Sequence, residues 1–322
     1  MKDFANKIAV VTGGGTGMGR GLVLQLVKEG CHVATCDVLM DNLDETLSLA
    51  RELNTDSKVT SHLCDVGVED DIKRFAQEVR EQHETDHINL LFNNAGIGGG
   101  GGFVNGPRDQ WERTFAVCWY GVYWSAREFM PMLVASDEGH MINTSSVNGF
   151  WASLGSGISH TAYSAAKFAV KGFSESLITD LRLNAPHVKV SVVMPGHIGT
   201  SIAINSARIL GQDWEGGMGE AQLEQIKKNW IDRGLPVHNF TPDQIRERLL
   251  EGRNQFRDNA PTTADQAATI ILNGVREDRW RILVGDDAHR LDEAVREAPE
   301  EAYEDGFTQR RQLLGSIAQE SD

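Results

Sequence analysis

The chain has 322 residues, of which 40% are hydrophobic and 24% are charged, so it is long enough to bury a sizeable core in one large α/β domain. Its formal net charge of −15 argues against non-specific binding to nucleic acid or to an anionic membrane. The sequence contains no uncharged apolar run of about 18 residues, so no membrane span is predicted.

The amino terminus and the cysteines indicate a cytoplasmic protein. Residues 1–7 lead directly into an apolar strand and lack the apolar region and cleavage site of a secretory signal. The four cysteines form no C-x-x-C pair and no cluster with histidines. Cys31, Cys36 and Cys64 fall in or beside predicted buried strands. We therefore expect neither a disulfide framework nor a metal site.

In the first 195 residues, short apolar runs alternate with helical patterns. Strands are predicted at 8–12, 32–37, 59–64, 88–92, 140–144 and 188–194. Helices are predicted near 17–29, 42–53, 69–83, 108–135 and 160–184. Continuous Val, Ile and Leu runs between helices are typical of parallel strands buried on both faces. Right-handed crossovers then predict an α/β fold with a doubly wound parallel sheet.

The last 127 residues are less regular. Residues 196–262 mix Gly, Trp and charged residues with short helical stretches, which is typical of an active-site lid rather than a plain connection. A helix at 264–277 and a strand at 280–284 follow, and 286–322 are predicted as an acidic helical extension. We interpret 1–322 as one domain with an inserted lid.

A glycine-rich loop, Thr12–Gly19, lies between the first predicted strand and the first predicted helix. Glycines at this place permit a tight turn and let backbone N–H groups approach a pyrophosphate. The helix that follows adds the partial positive charge of its amino terminus. Because turns also need glycine, the loop becomes informative only through its position between strand and helix.

Asp37 ends the second predicted strand, 18 residues after Gly19, close to the separation of roughly 20 that dinucleotide sites show. A carboxylate there can accept hydrogen bonds from the ribose hydroxyls and would repel a 2′-phosphate. The residues after it are Val38, Leu39 and Met40, none of them basic. This favours NAD over NADP, although a turn-forming or helix-capping aspartate is the alternative interpretation.

Tyr163 and Lys167 are one helical turn apart at the start of the predicted helix 160–184. A nearby ammonium favours the phenolate and lowers the pKa of a phenol, which makes acid–base catalysis feasible. Ser145 and Ser146 end the preceding strand, where parallel sheets place their ligands. A serine hydroxyl there could bind a substrate oxygen, and simple strand-end capping is the competing interpretation.

Together these motifs resemble those of the short-chain dehydrogenase/reductase family, NAD(P)-dependent alcohol and ketone oxidoreductases with a Rossmann fold. The resemblance spans residues 5–200. The matching segments are Thr12–Gly19, Asp65-Val66, Asn93-Asn94-Ala95-Gly96, Ser146, Tyr163-x-x-x-Lys167 and Pro195-Gly196, in the family's order.

The resemblance implies a catalytic set of Ser146, Tyr163 and Lys167. Ser146 would bind the substrate oxygen, Tyr163 would exchange its proton, and Lys167 would hold the nicotinamide ribose and lower the pKa of Tyr163. The implied cofactor-binding residues are Gly13, Thr16, Gly17, Met18, Gly19, Asp37, Asp65, Val66, Asn93, Ala95, Gly96, Tyr163, Lys167, Pro195, Gly196, Ile198 and Thr200. Family members are commonly homodimers or homotetramers, built partly through helices equivalent to 108–135 and 160–184.

The sequence departs from the family pattern at several places. Cys118 stands where the family usually has an asparagine that helps to hold a proton-relaying water; we expect a small residue tolerated in the helix. The interval from Ser146 to Tyr163, 17 positions, is longer than is usual and predicts a bulkier wall beside the substrate. The five glycines at 98–102 predict a mobile loop near the site.

Bulky residues near the presumed site suggest a large, mostly apolar secondary alcohol or ketone as substrate. The candidate substrate residues are Phe150, Trp151, His197 and Ile202, with Ile198 and Trp214 nearby. The aromatic residues of the lid could equally form its own small core, and His197 could be an ordinary loop residue.

Two other function classes remain open. One is a catalytically weak NADH-binding sensor or scaffold, which the Cys118 replacement alone favours. The other is a methyltransferase, which also uses a glycine-rich first loop and an acidic residue after the second strand. Both would leave Tyr163 and Lys167 without a purpose.

Overall fold

The computed structural model describes residues 1–53, 56–154, 159–212, 218–232 and 234–310. Its strands are β1 Ile8–Thr12, β2 His32–Asp37, β3 Val59–Leu63, β4 Leu90–Asn93, β5 Gly139–Thr144, β6 Val188–Pro195, β7 Ile198–Gly199, β8 Thr262–Thr263 and β9 Arg281–Val284. Seven of them form one parallel sheet in the order β3-β2-β1-β4-β5-β6-β9. The predicted doubly wound α/β fold is confirmed.

Helices separate the strands. They are α1 Gly17–Lys28, α2 Met40–Leu53, α3 Glu69–His83, α4 Arg108–Phe115, α5 Gly121–Val134, α6 Thr161–Asn184, α7 Ile202–Ile209, α8 Glu220–Asp232, α9 Pro242–Asp258, α10 Ala264–Arg276, α11 Asp286–Glu297 and α12 Phe307–Arg310. The helix expected at 108–135 is continuous in space, but a five-residue π turn, Ala116–Tyr120, joins α4 to α5. None of the described helices combines the length and hydropathy that a bilayer span requires.

The core lies on both faces of the sheet because successive side chains of a strand point to opposite sides. From β1, Val10 packs in a cluster with Phe75 and Phe129 of α3 and α5. Its neighbours Ala9 and Val11 pack in a second cluster on the other side, with side chains of α1 and α10. Cys31, Cys36 and Cys64 are buried free thiols.

Two further segments, residues 196–262 and the C-terminal extension, pack around the seven-stranded sheet and its helices. Helices α7, α8 and α9, which lie within the predicted lid 196–262, pack on one another, and the short β7–β8 pair closes the base of the lid. Because β9 comes after residues 196–262 and still joins β6, this segment lies between two strands of one sheet. Of the predicted extension 286–322, α11 packs against β9; residues 311–322 lie outside the described part.

His140 makes the stability of this sheet depend on pH. Its side chain is 1% exposed and its Nε2 lies 2.7 Å from Ser191 Oγ. Burial lowers the pKa of His140 to about 4 from its ordinary 6.5. Between those values the unfolded chain binds a proton at His140 that the folded chain does not, so the contribution of His140 to the free energy of unfolding should fall as pH drops from 6.5 to 4, by about 1.4 kcal/mol per pH unit.

Urea unfolding at pH 7, 6 and 5 measures this slope. His140→Gln should reduce the slope by about one proton, since glutamine does not titrate. An identical pH dependence in the two proteins would show that His140 is not the group responsible.

Candidate active site

The glycine-rich loop connects β1 to α1 and forms the floor of a cleft at the carboxyl edge of the sheet. Gly13 and Gly17 have φ angles of +71° and +56°, which glycine adopts without strain. A Cβ on Gly13 would lie 2.8 Å from Ala95 Cα, and one on Gly19 would collide with the Gly13 carbonyl. The glycines are therefore required by both conformation and space, and the loop leaves room for a group at the amino terminus of α1, as predicted.

Asp37 lies at the far end of the same cleft. Its Oδ2 accepts a hydrogen bond from Gly15 N–H and its Oδ1 one from Leu39 N–H, each at 3.0 Å. The guanidinium of Arg20 in α1 donates a hydrogen bond to Gly15 O at 2.7 Å and forms an ion pair with Glu45 at 2.6 Å. The cleft thus presents a negative charge at this end.

Asp65 and Val66, which follow β3, also line the cleft. Asp65 pairs with Arg113 of α4 at 2.6 Å, and its second oxygen accepts from Gly67 N–H at 2.9 Å. Arg113 itself lines the cleft and was not predicted, since its distance in sequence gave no sign of this contact.

Of the segment after β4, Ala95 and Gly96 line the cleft as predicted, but Asn93 does not. Asn93 is buried, and its Nδ2 donates to Asn143 Oδ1 at 2.8 Å, because the two residues are register partners in β4 and β5. The next residue points to the other side: Asn94 lines the cleft and donates to Thr12 O at 3.1 Å. Asn94 therefore lines the cleft in place of the expected Asn93.

Ser146, Tyr163 and Lys167 converge where β5 ends and α6 begins. The Ser146 hydroxyl is close enough to the Tyr163 phenol to lower its pKa. Lys167 Nζ lies 5.4 Å from the centre of the Tyr163 ring and donates to Thr144 O at 2.8 Å. The three residues are not among those that line the cleft, but Lys167 adjoins it, since a Cβ on the lining residue Gly96 would lie 3.6 Å from Lys167 Nζ.

The pKa of Tyr163 differs from the sequence expectation. Burial and the neighbouring Cys118 raise the pKa of the phenol, and the Ser146 hydroxyl lowers it only in part. Burial likewise lowers the pKa of Lys167, whose side chain is 2% exposed. The predicted lowering by Lys167 is therefore not what the structure shows, because loss of hydration dominates both groups.

Cys118 lies in the π turn between α4 and α5. Its Sγ donates to Ile97 O at 3.2 Å, and burial raises the pKa of the thiol although Lys167 acts in the opposite direction. A buried thiol with a raised pKa is a poor nucleophile. This is in line with the expectation of a small residue packed in the helix. π turns of this kind are frequent at functional sites.

Of the predicted cofactor and substrate residues at the end of β6 and just after it, some line the cleft and others do not. Thr200 and Ile202 line the cleft, whereas Pro195, Gly196 and Ile198 are not among the lining residues. Pro195 pairs with Val284 in the sheet, Gly196 packs tightly against Asp287, and Ile198 is buried in the core.

His197, a candidate substrate residue, is directed away from the cleft. Its Nε2 lies 2.7 Å from Phe256 O, its ring packs on the Phe256 ring at 4.3 Å, and its backbone N–H donates to Asp287 at 2.7 Å. His197 thus connects the end of β6 to α9 and α11, which favours the alternative interpretation as a loop residue.

Phe150 and Trp151, two further substrate candidates, point toward the C-terminal extension instead. Trp151 is buried and donates Nε1–H to Ala302 O at 2.7 Å, and Phe150 lies under the guanidinium of Arg281. The extension supplies the apolar partner of these rings, and neither lines the cleft, so their expected substrate contact stays a prediction. Trp214 and residues 155–157 lie outside the described residues.

Helix α7 covers the cleft. Ile202, Asn205 and Ile209 line it, and Asn205 Nδ2 donates to Thr16 Oγ1 at 3.1 Å. The sequence gave no signal for Asn205 or Ile209. The glycine run 98–102 lies against α7 and the start of α6: Gly98 N–H donates to Ser206 Oγ at 2.8 Å and Thr161 N–H to Gly101 O at 3.2 Å. Its predicted mobility stays a prediction.

Comparisons with known proteins agree with this geometry. The family model described as short chain dehydrogenase matches residues 7–208. SadH of Mycobacterium tuberculosis, provisionally named an oxidoreductase, is 32% identical over 92% of this chain and 92% of its own. Epidermal retinol dehydrogenase 2 of Mus musculus is 34% identical over 62% of this chain and 63% of its own. A short-chain dehydrogenase/reductase from Burkholderia phymatum, crystallised with NAD, is 27% identical with a TM-score of 0.72, over 94% of this chain and 95% of its own.

Proposed function

Because the chain belongs to the short-chain dehydrogenase family, whose members are nicotinamide-dependent oxidoreductases, we propose that it transfers a hydride between NAD(H) and a bulky, mostly apolar secondary alcohol or ketone. The observations that carry the proposal are the convergence of Ser146, Tyr163 and Lys167 and the position of Lys167 beside Gly96, which lines the same cleft as Asp37.

The cleft fits a dinucleotide. Gly13 and Gly19 leave the space that a pyrophosphate needs, and Asn94 presents a buried Oδ1 that has no hydrogen-bond partner among the described residues. Thr16, Met18, Val66 and Thr200 complete the walls. When bound, the nicotinamide supplies or accepts the hydride.

The side chains divide the remaining chemistry among them. Ser146 donates a hydrogen bond to the substrate oxygen and holds it beside Tyr163. Because its pKa is raised, Tyr163 is protonated at neutral pH and can give its proton to the oxygen of a ketone. The Lys167 ammonium then favours the phenolate that remains. This ordering favours ketone reduction near neutral pH, and alcohol oxidation at higher pH.

The substrate class rests on the side chains around the inner cleft. Ile97, Val117, Ile202 and Ile209 line it, and a bulky apolar molecule buries surface against them. The relative named a retinol dehydrogenase acts, by its name, on retinol, a primary alcohol, so it supports the bulk and apolarity of the proposed substrate and leaves the secondary carbon to be tested. The test is a screen of 1-phenylethanol, menthol, all-trans-retinol and glycerol 3-phosphate with NAD, followed by NADH absorbance. Turnover of glycerol 3-phosphate alone, or of none, would contradict the proposal.

Asp37 provides the test of cofactor choice. Asp37→Arg should lower the preference for NAD over NADP, as the ratio of kcat/KM values, by about 10²-fold or more, since juxtaposed like charges cost several kcal/mol. Asp41→Arg makes the same change in charge at an exposed position of α2 and should leave the ratio unchanged. A wild-type enzyme that already prefers NADP would show that the interpretation of Asp37 is wrong.

We also propose that the chain assembles as a homodimer or homotetramer through α5 and α6. Tyr120 stacks on Trp124 at 5.1 Å along this surface, and Tyr120 and Phe168 stay 42% and 41% exposed in the single chain. Aromatic side chains of this kind are enriched where proteins associate. Light scattering of the purified protein measures its mass directly.

A further inference from the structure

The C-terminal extension is fastened to the segment that follows Ser146. Trp151 lies in an apolar cluster with Leu291 and Phe307 and donates to Ala302 O at 2.7 Å. The next residue, Ala152, donates its N–H to the Tyr303 hydroxyl at 3.1 Å. Both contacts join positions 151 residues apart, so only the folded chain creates them.

Asn148 connects this anchored segment to the catalytic serine. Its side-chain Nδ2 donates to Trp151 O at 3.0 Å and to Ser153 O at 2.7 Å, which uses both N–H groups of the amide. Its backbone N–H donates to Ser146 Oγ at 3.1 Å. A hydrogen-bonded path therefore runs from the extension through Asn148 to Ser146.

The other side of the same turn is held by the catalytic helix. Ser145 Oγ donates a hydrogen bond to the backbone carbonyl oxygen of Lys167 at 2.7 Å. A Cβ on Gly149 would lie 2.8 Å from the same oxygen, so the turn packs closely against α6. The turn 147–149 is thus clamped between α6 and the extension. Release of one side leaves the turn attached at the other, which permits a shift of Ser146 without unfolding.

We propose that residues 286–310 act as a strap that positions Ser146, with Asn148 and Trp151 as the positioning residues; this rests on the proposed function. The backbone N–H of Asn148 occupies an acceptor site of Ser146 Oγ and directs its O–H toward Tyr163 and the substrate oxygen. A misplacement of about 1 Å in such a group can cost 10²-fold in rate.

The test is a double-mutant cycle with NADH and acetophenone, the ketone of 1-phenylethanol. Asn148→Ala should lower kcat by about 10- to 100-fold with the KM for NADH unchanged. In a Ser146→Ala background, the same substitution should change the single-turnover rate by less than about twofold, because no hydroxyl is left to position. An equal loss in both backgrounds, or an unchanged kcat, would overturn the proposal.

Trp151→Phe covers the case in which Asn148→Ala fails to fold. It keeps an aromatic ring in the apolar cluster but removes the N–H that reaches Ala302 O together with part of the volume of the indole, and it should lower kcat in the same direction. Trp280→Phe, at a half-exposed tryptophan outside this path, and Asn184→Ala, at the exposed end of α6, are matched controls and should keep wild-type kcat. A fall in kcat as large in the controls would contradict the strap.

Hydrogen exchange separates this proposal from the proposed function because it needs no substrate. In Trp151→Phe, the amides of residues 147–152 should exchange faster while those of β5 and β6 keep wild-type rates. If the wild type reduces no ketone, the proposed function fails and the exchange result still decides whether the strap holds the turn. Unchanged exchange at 147–152 would overturn the strap.

Discussion

Tyr163→Phe is expected to lower turnover by roughly 10²- to 10⁴-fold, the range that general acid–base groups contribute, while NADH binds normally. The substitution removes one hydroxyl and keeps the ring, which packs at 4.6 Å from the His160 ring and 5.4 Å from Lys167 Nζ. Loss of the proton donor therefore acts on the chemical step. Steady-state NADH absorbance and NADH fluorescence measure turnover and binding separately.

Tyr120→Phe is the matched control, since Tyr120 ends the π turn before α5, is 42% exposed and lies outside the catalytic set. It should retain wild-type turnover. If Tyr163→Phe retained it too, Tyr163 would be removed from the mechanism. If the wild type bound NADH and turned over no substrate of the panel, the sensor or scaffold alternative would replace the enzyme; tight binding of S-adenosylmethionine without NADH would point to a methyltransferase.

Lys167→Met is expected to lower turnover by about 10²-fold or more without lowering the thermal midpoint. The ammonium is buried and keeps one hydrogen bond, to Thr144 O at 2.8 Å, so its burial is unfavourable to folding. Methionine of similar length removes that cost but also removes the charge that stabilises the phenolate of Tyr163. Turnover should therefore fall while the thermal midpoint stays the same or rises, which is the trade-off expected of a residue selected for activity at a cost in stability.

Thermal unfolding and NADH oxidation, measured on the same preparation, check this. Lys171→Met, one turn further along α6 where the lysine pairs with Glu175 at 2.8 Å, should alter neither strongly. A Lys167→Met protein that keeps wild-type turnover, or that loses activity only in proportion to lost folded protein, would contradict the assigned role.

Much of the frame was predictable because its signals are local. The bounds of β1 and β2 and the helix 69–83 agree with the prediction, since apolar runs and helical periodicity are properties of neighbouring residues. The strand expected at 88–92 is found at 90–93 because Ile88 N–H bonds to Met132 O instead of to a neighbouring strand. The π turn at 116–120 left no such local signal.

The sequence by itself determined the parallel α/β fold, the glycine-rich loop, and the spacing that brings Tyr163 and Lys167 onto one turn of α6, because each depends on residues close together along the chain. Only the tertiary structure decided where side chains point: Asn94 instead of Asn93 into the cleft, His197 onto α9, and Trp151 onto the extension. It also decided that burial raises the pKa of Tyr163. These outcomes depend on partners far away in sequence and on the loss of hydration, which exist only once the chain has folded.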